Sequence, residues 1–257
     1  MKTKIKRFGI EIEGEFSDEL SDQLNDLNIG KFVTDGSIRE CEEGTHNKDY
    51  LHSLEFVTEP LIYKDSTDTK DLKGMFQLLD KYYKEGNFHF NDTMGMHIHF
   101  SFIPILPSEL WSIEFVEYFE KQLKKTYKNL YEQRIQGDYC RKIKNEREIG
   151  WGHDRYKEIN FRPAYSKHRT IEFRIFPADT PKKMESYLWF TERKINSFIR
   201  RENTILSKSF EFEVAGKRKI TRVQKVEVDN RQNIKEEKAE VNKPPYSRSQ
   251  ANRIIII

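Results

Sequence analysis

Apolar and polar residues alternate along several stretches of the chain, and this period of two is typical of β-strands with one buried face. Other stretches repeat apolar residues every three or four positions, as on one side of a helix. The predicted strands are 8–16, 31–34, 51–58, 95–102, 156–162 and 170–176. The predicted helices are 17–28, 67–85 and 107–134, the last capped by Ser108, and one that begins at Pro181 after Thr180.

The segment GMHIHFSF at 95–102 carries the clearest alternation. His97 and His99 project from the same face of this strand, about 7 Å apart for a rise of about 3.3 Å per residue. This separation is too long for direct contact, but both imidazoles can reach one ion or neighbouring parts of one site. The alternative is a pair of solvated histidines on an open sheet face.

A second alternating segment, FGIEIEGEF at 8–16, places Glu11, Glu13 and Glu15 on one face of a strand. Like charges on one face repel one another, so the arrangement is stable at an exposed edge or where cations neutralise it. Two interpretations follow from this. The strand is a solvated amphipathic strand, or its carboxylates bind Mg²⁺, a hard cation that prefers oxygen ligands.

Two further predicted strands carry ionisable side chains in an apolar context. In LHSLEFVTEP, the acids are Glu55 and Glu59, and the proline ends the strand. In TIEFRIF, Glu172 and Arg174 share the face opposite the apolar residues. Four strands therefore place acids, histidines or an arginine on one of their faces.

The composition indicates a protein that acts away from membranes. No apolar run approaches the ~20 residues that cross a bilayer, and the basic start MKTKIKR leads directly into a charged strand rather than an apolar signal segment. Cys41 and Cys140 lie far apart in sequence, which gives neither a disulfide framework nor zinc-knuckle spacing. We therefore expect a cytoplasmic location.

Positive charge is concentrated towards the C-terminal end. The chain carries a net charge of +3, but the segment from Lys208 onward contains twelve Lys and Arg and only seven Asp and Glu. Residues 1–207 therefore have a net charge near −2. A body of this charge does not predict nucleic-acid binding. We expect one domain over 1–205, a possible β-hairpin over 206–228 and a disordered tail over 229–257 that ends in four isoleucines.

On a common sheet face, these acids, imidazoles and the arginine suit a divalent metal ion and a phosphorylated nucleotide. Carboxylates hold Mg²⁺, the metal bridges phosphate oxygens, and arginine offsets the charge of a phosphoryl group. The sequence contains neither GxxxxGK[ST] nor GxGxxG, so it supports neither P-loop nor Rossmann chemistry. HExxH is absent too, and carboxylate-rich ligation favours Mg²⁺ over Zn²⁺.

Five segments in order along the chain resemble the putative amidoligases related to glutamine synthetase: GIEIE, DGSI, LEFVTEPL, GMHIHFS and TIEFRIF. GMHIH and IEFR are also similar to segments of glutamine synthetase itself. The resemblance covers about residues 7–200. It implies an α+β fold with a curved antiparallel β-sheet backed by helices, similar to the catalytic domain of glutamine synthetase and glutamate–cysteine ligase, with the site on the concave face.

The resemblance also implies roles for individual residues. It assigns Mg²⁺ binding to Glu11, Glu13, Glu55, His97 and Glu172. His99 resembles the histidine nearer the nucleotide or substrate, Arg174 the arginine that contacts phosphate, and Arg162 a second arginine for phosphate or substrate. In LEFVTEPL, Glu59 replaces what is often a small residue or proline, which leaves open whether Glu55 or Glu59 binds metal.

The resemblance implies an ATP- and Mg²⁺-dependent carboxylate–amine ligase. ATP would phosphorylate a carboxylate, and an amine would displace phosphate from this acyl phosphate to leave an amide. The substrates would be carboxylates and amines of amino acids, peptides or proteins; the sequence identifies neither the general base nor the oligomeric state. Two alternatives stay open: a metal-dependent phosphoesterase, and a non-catalytic relative that binds a nucleotide or peptide on the same sheet.

Overall fold

An open antiparallel β-sheet of eight strands, accompanied by five α-helices, forms the frame of the part of the chain that the structure describes. The computed structural model describes residues 3–34, 36, 38, 51–105, 107–138, 140–149 and 154–214, with side chains except at 203 and 206–214. The chain divides into two units, Met1–Thr204 and Ile205–Ile257, and the sheet lies in the first. The α+β class with a curved antiparallel sheet is therefore confirmed.

The strands and helices have the following bounds. The strands are β1 Lys4–Ser17, β2 Gly30–Val33, β3 Leu51–Thr58, β4 Leu61–Ile62, β5 Phe88–His89, β6 Gly95–Ile103, β7 Ile159–Asn160 and β8 Thr170–Pro177. The α-helices are α1 Asp18–Asp26, α2 Ser66–Glu85, α3 Ile113–Thr126, α4 Lys128–Arg134 and α5 Pro181–Val214, and two 3₁₀ helices span Glu146–Glu148 and Arg162–Tyr165. Among these helices, none combines the length and apolar composition that a membrane span requires.

The long strand β1 lies at the centre of the sheet. The strand order is β2-β3-β1-β6-β8-β7, and the short strands β4 and β5 also pair with β1. All of these pairings are antiparallel. Because β1 pairs with β3 on one side and β6 on the other, it brings three segments predicted from their alternation side by side.

One face of the sheet is apolar and packs against helices. Ile12, Ile98 and Phe173 are fully buried, and Phe115 and Phe119 of α3 lie with ring centroids 6.3 and 4.8 Å from Phe173. Each fully buried side chain of this size contributes about 1.5–3 kcal/mol to stability. Since side chains alternate along a strand, the polar residues between them project from the opposite face.

Local sequence sets several helix ends as predicted. The Ser17 hydroxyl accepts a hydrogen bond from the N–H of Leu20 at 3.3 Å and caps α1. Gly86 ends α2 in the left-handed region at φ 76°, which costs glycine little because it has no Cβ. Pro181 is the first residue of α5.

The single helix predicted over 107–134 is wrong, because the structure has two helices there, α3 and α4. Ser112, rather than Ser108, caps α3, since its hydroxyl accepts from the N–H of Phe115 at 3.2 Å. The backbone of Tyr127, at φ −135° and ψ 50°, leaves the helical region and separates the two helices. The apolar periodicity runs through both helices, so it does not reveal this break.

Two other predicted elements also differ. The strand predicted over 156–162 is limited to β7, because Phe161 turns the chain into the 3₁₀ helix that contains Pro163, a residue without an N–H for strand pairing. Helix α5 continues to Val214, so the start of the predicted hairpin is helical. Residues 215–257, with the rest of that hairpin and the predicted tail, lie outside the described residues.

Candidate active site

Cross-strand pairing brings the predicted site residues together on the polar face of the sheet. Glu11 lies opposite His97, Glu13 opposite Glu55, and His99 opposite Glu172. Directly opposed residues have Cβ atoms about 4.5–5.5 Å apart, so their side chains share one space. The pairing of β3 on one side of β1, and of β6 and β8 on the other, therefore brings the site residues together.

A first cluster consists of Glu11, His97 and Glu172, whose ligand atoms all lie within 4.8 Å of one another. Nδ1 of His97 is 3.0 Å from Oε2 of Glu11 and 3.7 Å from Oε1 of Glu172. Glu172 is held from both sides, because Asn160 Nδ2 and Arg174 Nη1 each donate to its carboxylate at 2.6 Å. These partners fix the carboxylate orientation, as residues around a metal ligand commonly do.

A second cluster consists of Glu13, Glu55 and the same His97, again with ligand atoms within 4.8 Å of one another. Nε2 of His97 lies 3.8 Å from Oε1 of Glu13, and the N–H of Gly95 donates to Oε2 of Glu13 at 2.5 Å. The two nitrogens of one imidazole thus face two separate groups of acids. The clusters adjoin each other along β1 and β6.

Histidines compensate the charge of Glu11. Burial alone would raise the pKa of the Glu11 carboxyl, but the positive charge of His99 and hydrogen bonds from both histidines hold that pKa well below its ordinary value. Burial lowers the pKa of His99, whereas Glu11 raises it, and the net shift is upward. Nε2 of His99 lies 3.0 Å from Oε1 of Glu11, and Nδ1 of His99 lies 3.3 Å from the hydroxyl of Thr170.

Arg174 places a permanent positive charge beside the first cluster. Burial lowers its pKa, but the neighbouring Glu172 charge and hydrogen bond outweigh burial and raise the pKa of the guanidinium. Nε of Arg174 is buried without a hydrogen-bond partner. One edge of the guanidinium therefore holds Glu172, while another donor is available to a bound anion.

A cleft of about 860 Å³ opens beside the first cluster. Its wall includes Lys6, Arg7, Arg155, Arg162, Lys167, Arg169 and Arg174. The acids in this lining are Glu11 and Glu172, both members of the first cluster, and His99 lies beside them. The cleft is therefore strongly cationic, with its carboxylates gathered at the first cluster, and its size suits a nucleotide or another small molecule.

The two clusters fit divalent cations. Each offers two carboxylates and one imidazole nitrogen, and oxygen-rich donor sets of this kind favour Mg²⁺ or Mn²⁺. Gly95 lets β6 approach the second cluster closely, because a methyl group on its Cα would lie only 3.1 Å from Nε2 of His97 and 3.4 Å from Oε2 of Glu13. The donor chemistry of both clusters suits a bound ion.

The structure thus brings the predicted residues Glu11, Glu13, Glu55, His97, His99, Glu172 and Arg174 onto one face, and Arg162 onto the cleft wall. Glu59 is exposed and belongs to neither cluster, whereas Glu55 belongs to the second. Their roles as metal and phosphate ligands stay predictions. Arg162 begins a 3₁₀ helix, and its N–H donates to Asn160 Oδ1 at 3.0 Å, so its exposed side chain stands at the cleft edge.

Sequence reasoning missed three contributors to this face. Asn160 orients Glu172, Gly95 permits close packing at the second cluster, and Arg134 of α4 reaches that cluster. Gly95 stands in the segment GMHIHFSF, and Asn160 lies two residues before Arg162. Arg134 lies at the end of an amphipathic helix, and no local pattern marks it.

The fold and site together define an open-sheet α+β protein with adjoining acid–histidine clusters beside a cationic cleft. A family model described as "Putative amidoligase enzyme" matches residues 4–146, more than half of the chain. The chain therefore belongs to this family of amide-forming ligases. The match includes Glu11, Glu13, Glu55, His97 and His99, whereas β8 lies beyond it. No curated protein matches the chain.

Proposed function

We propose that the protein is an ATP- and Mg²⁺-dependent carboxylate–amine ligase with a site like that of glutamine synthetase. The observation that carries this proposal is the pair of three-ligand clusters that share His97 at the inner end of a cationic cleft. Family membership supports amide formation. The charge arrangement supports a nucleoside triphosphate as the source of energy, since cations and bound Mg²⁺ offset phosphate charge.

The cleft suits both ends of a nucleotide. Its cations surround the space next to the first cluster, where phosphates would lie. Its wall also contains Pro60 and Ile105, which are both exposed, Ile105 by 55%. An exposed apolar wall of this kind offers a purine base a surface on which to pack. The triphosphate would then point from this wall towards Glu11 and Glu172.

Each polar residue has a role in this proposal. Glu11, Glu13, Glu55, His97 and Glu172 hold the metal ions, and bound Mg²⁺ supplies Lewis-acid neutralisation of phosphate oxygens. Arg174, fixed by Glu172, donates its remaining N–H groups to the transferring phosphoryl group. His99 contacts the nucleotide or acid substrate, and Arg162 contributes charge at the cleft edge.

The reaction proceeds in two balanced steps. A carboxylate oxygen of the acid attacks the γ-phosphorus of ATP, and ADP leaves. The amine nitrogen then attacks the acyl carbon, the C–O bond to phosphate breaks, and the departing phosphate takes up the proton that the nitrogen loses. Arg174 stabilises the negative oxygens that develop in the first step, and no side-chain nucleophile is needed.

The experiment is incubation of the protein with ATP, Mg²⁺ and pooled amino acids and peptides, followed by mass spectrometry of ADP, phosphate and new amides. Formation of ADP and an amide that requires both an acid and an amine supports the ligase. Phosphate release from phosphoesters without ATP would support a phosphoesterase instead. Binding of Mg²⁺–ATP without turnover over the whole pool would support a non-catalytic relative.

A further inference from the structure

The second cluster has a guanidinium at its far side. Arg134 is the last residue of α4, and its Nη2 would lie 3.4 Å from a methyl group at Gly95, the same distance as Oε2 of Glu13. Nε2 of His97 would lie 3.1 Å from that methyl group. Arg134, Glu13 and His97 thus pack closely around Gly95, where any side chain would crowd them.

The donors of Arg134 are poorly satisfied by the protein. Nη2 donates to the carbonyls of Arg174 and Phe176 at 3.4 and 3.5 Å, the outer limit of a hydrogen bond, and Nε is buried without a partner. No acid in the described part of the chain forms an ion pair with Arg134 within 4.0 Å. Buried guanidinium donors without partners destabilise a fold, so this arrangement indicates a bound partner.

A purely structural role for Arg134 requires a countercharge, and the surroundings provide a poor one. The charge of Glu13 acts on Arg134, but the two form no ion pair within 4.0 Å, and Oε2 of Glu13 accepts from the N–H of Gly95. Cys140 is the other nearby group, and burial raises the pKa of its thiol to about 12, so the sulfur is neutral. Burial lowers the pKa of Arg134, but a guanidinium stays protonated at neutral pH.

The position of Arg134 differs from that of the other arginines. Along β1, Arg7, Gly9 and Glu11 line the cleft, while Glu13 lies two residues further and does not. Along β6, Ser101 and His99 line the cleft, while His97 and Gly95 lie beyond it. The strands therefore lead from the cleft, through the first cluster, to the second cluster and Arg134.

We propose that Arg134 is an oxyanion-binding residue of this site, which takes an oxygen of a phosphoryl or carboxylate group beside the second cluster. This proposal rests on the ligase function proposed above. The planar fork of arginine suits a phosphate or a carboxylate, because it donates two parallel hydrogen bonds.

The test uses Mn²⁺, inorganic phosphate and acetate with the full chain. Mn²⁺ affinity is measured by electron paramagnetic resonance, and anion binding by the Mn²⁺-enhanced nuclear relaxation of phosphate (³¹P) and acetate (¹H). We expect Arg134→Gln to keep Mn²⁺ affinity within about twofold and to weaken anion binding roughly tenfold, the scale of one lost charge-assisted hydrogen bond. If Arg134→Gln weakens the binding of phosphate alone, the subsite belongs to the phosphoryl group. If it weakens the binding of acetate alone, the subsite belongs to the acid substrate.

Arg141→Gln is the matched control, because Arg141 pairs with Asp154 away from both clusters and the substitution should change neither affinity. Equal anion binding by wild type and Arg134→Gln overturns the proposal. If Arg134→Gln melts well below wild type, Arg134→Lys is used in its place, because lysine keeps the charge but lacks the planar fork. Anion binding by Arg134→Lys equal to that of wild type overturns the proposal. Failure of wild type to bind Mn²⁺ would count against the metal site of the ligase, a distinct result.

Discussion

The protein contains two groups of buried acids with opposite electrostatic character. In the site, histidines hold the pKa of Glu11 well below its ordinary value. In the other group, burial and then the charge of Glu120 raise the pKa of Glu158 to about 8. Both groups avoid the cost of unpaired buried charge, the first by pairing with imidazoles and the second by keeping a proton.

The acids of the other group, Glu120 and Glu158, contact groups of the protein, while Oε2 of Glu158 is buried without a hydrogen-bond partner. Ile143 donates its N–H to Oε1 of Glu158 at 3.1 Å, and Oε2 of Glu120 pairs with Lys142 at 3.0 Å and Lys124 at 3.2 Å. Its acids line no part of the described cleft. An acidic cluster alone is thus no indication of function. Imidazoles among the acids, together with an open sheet face, distinguish the site.

The largest expected effect comes from Glu13→Gln in the second cluster. Turnover with Mg²⁺ should fall roughly 10²-fold or more, since even residues that only orient metal ligands contribute 10–100-fold. The melting temperature without metal should stay the same or rise, because one charge leaves a repelling group of acids. ADP formation and thermal melting with and without Mg²⁺ measure both effects.

The control for this prediction is Glu59→Gln, which removes an exposed acid that belongs to neither cluster. It should leave turnover and the Mg²⁺ dependence of melting unchanged. If Glu59→Gln abolishes the effect of Mg²⁺ on melting and Glu55→Gln does not, Glu59 rather than Glu55 belongs to the second cluster.

The next effect concerns Arg174→Lys, compared with Lys142→Arg in the other group. Each keeps a positive charge beside an acid, but only Arg174 has a spare buried donor directed at a proposed substrate. Arg174→Lys should lower kcat about 10²-fold, the scale of losing one transition-state donor. Lys142→Arg should leave kcat unchanged. Wild-type kcat for Arg174→Lys under saturating substrate would contradict its phosphate role.

Much of the fold could be predicted because its central strands alternate strictly. β1, β3, β6 and β8 each bury one apolar face, and burial of one face fixes the strand register. The break between α3 and α4 could not be predicted, because the apolar stripe continues across Tyr127. Tertiary packing, rather than local preference, decides such breaks.

The convergence of the site residues could be predicted only in part. Alternation alone places Glu11 and Glu13 on one face, but not beside His97, which depends on the order of the strands. The family resemblance supplied that order. Arg134 is brought to the second cluster by helix packing alone, and sequence reasoning has no access to a contact of that kind.

A smaller effect is expected for stability at raised pH. A carboxyl whose pKa is raised in the folded state stabilises the fold at low pH, and this contribution is lost as pH rises from about 4.5 to about 8. Within that window, each pH unit lowers the free energy of unfolding by up to about 1.4 kcal/mol. Glu158→Gln cannot ionise, so its urea unfolding midpoint should decline less than that of wild type between pH 5 and 8. If the midpoints of wild type and Glu158→Gln decline in parallel, Glu158 keeps no proton in the folded state.

The smallest expected effect is that of Arg162→Gln at the cleft edge. Arg162 is exposed, so water and salt screen its charge, and it differs in this from the buried Arg174. The substitution should raise KM for ATP by roughly twofold to fivefold, the scale of an exposed charge interaction of up to about 1 kcal/mol, and leave kcat unchanged. The difference from wild type should shrink as NaCl is raised. A fall in kcat that persists at high salt would instead mean that Arg162 contacts the transferring phosphoryl group, and would place it with Arg174.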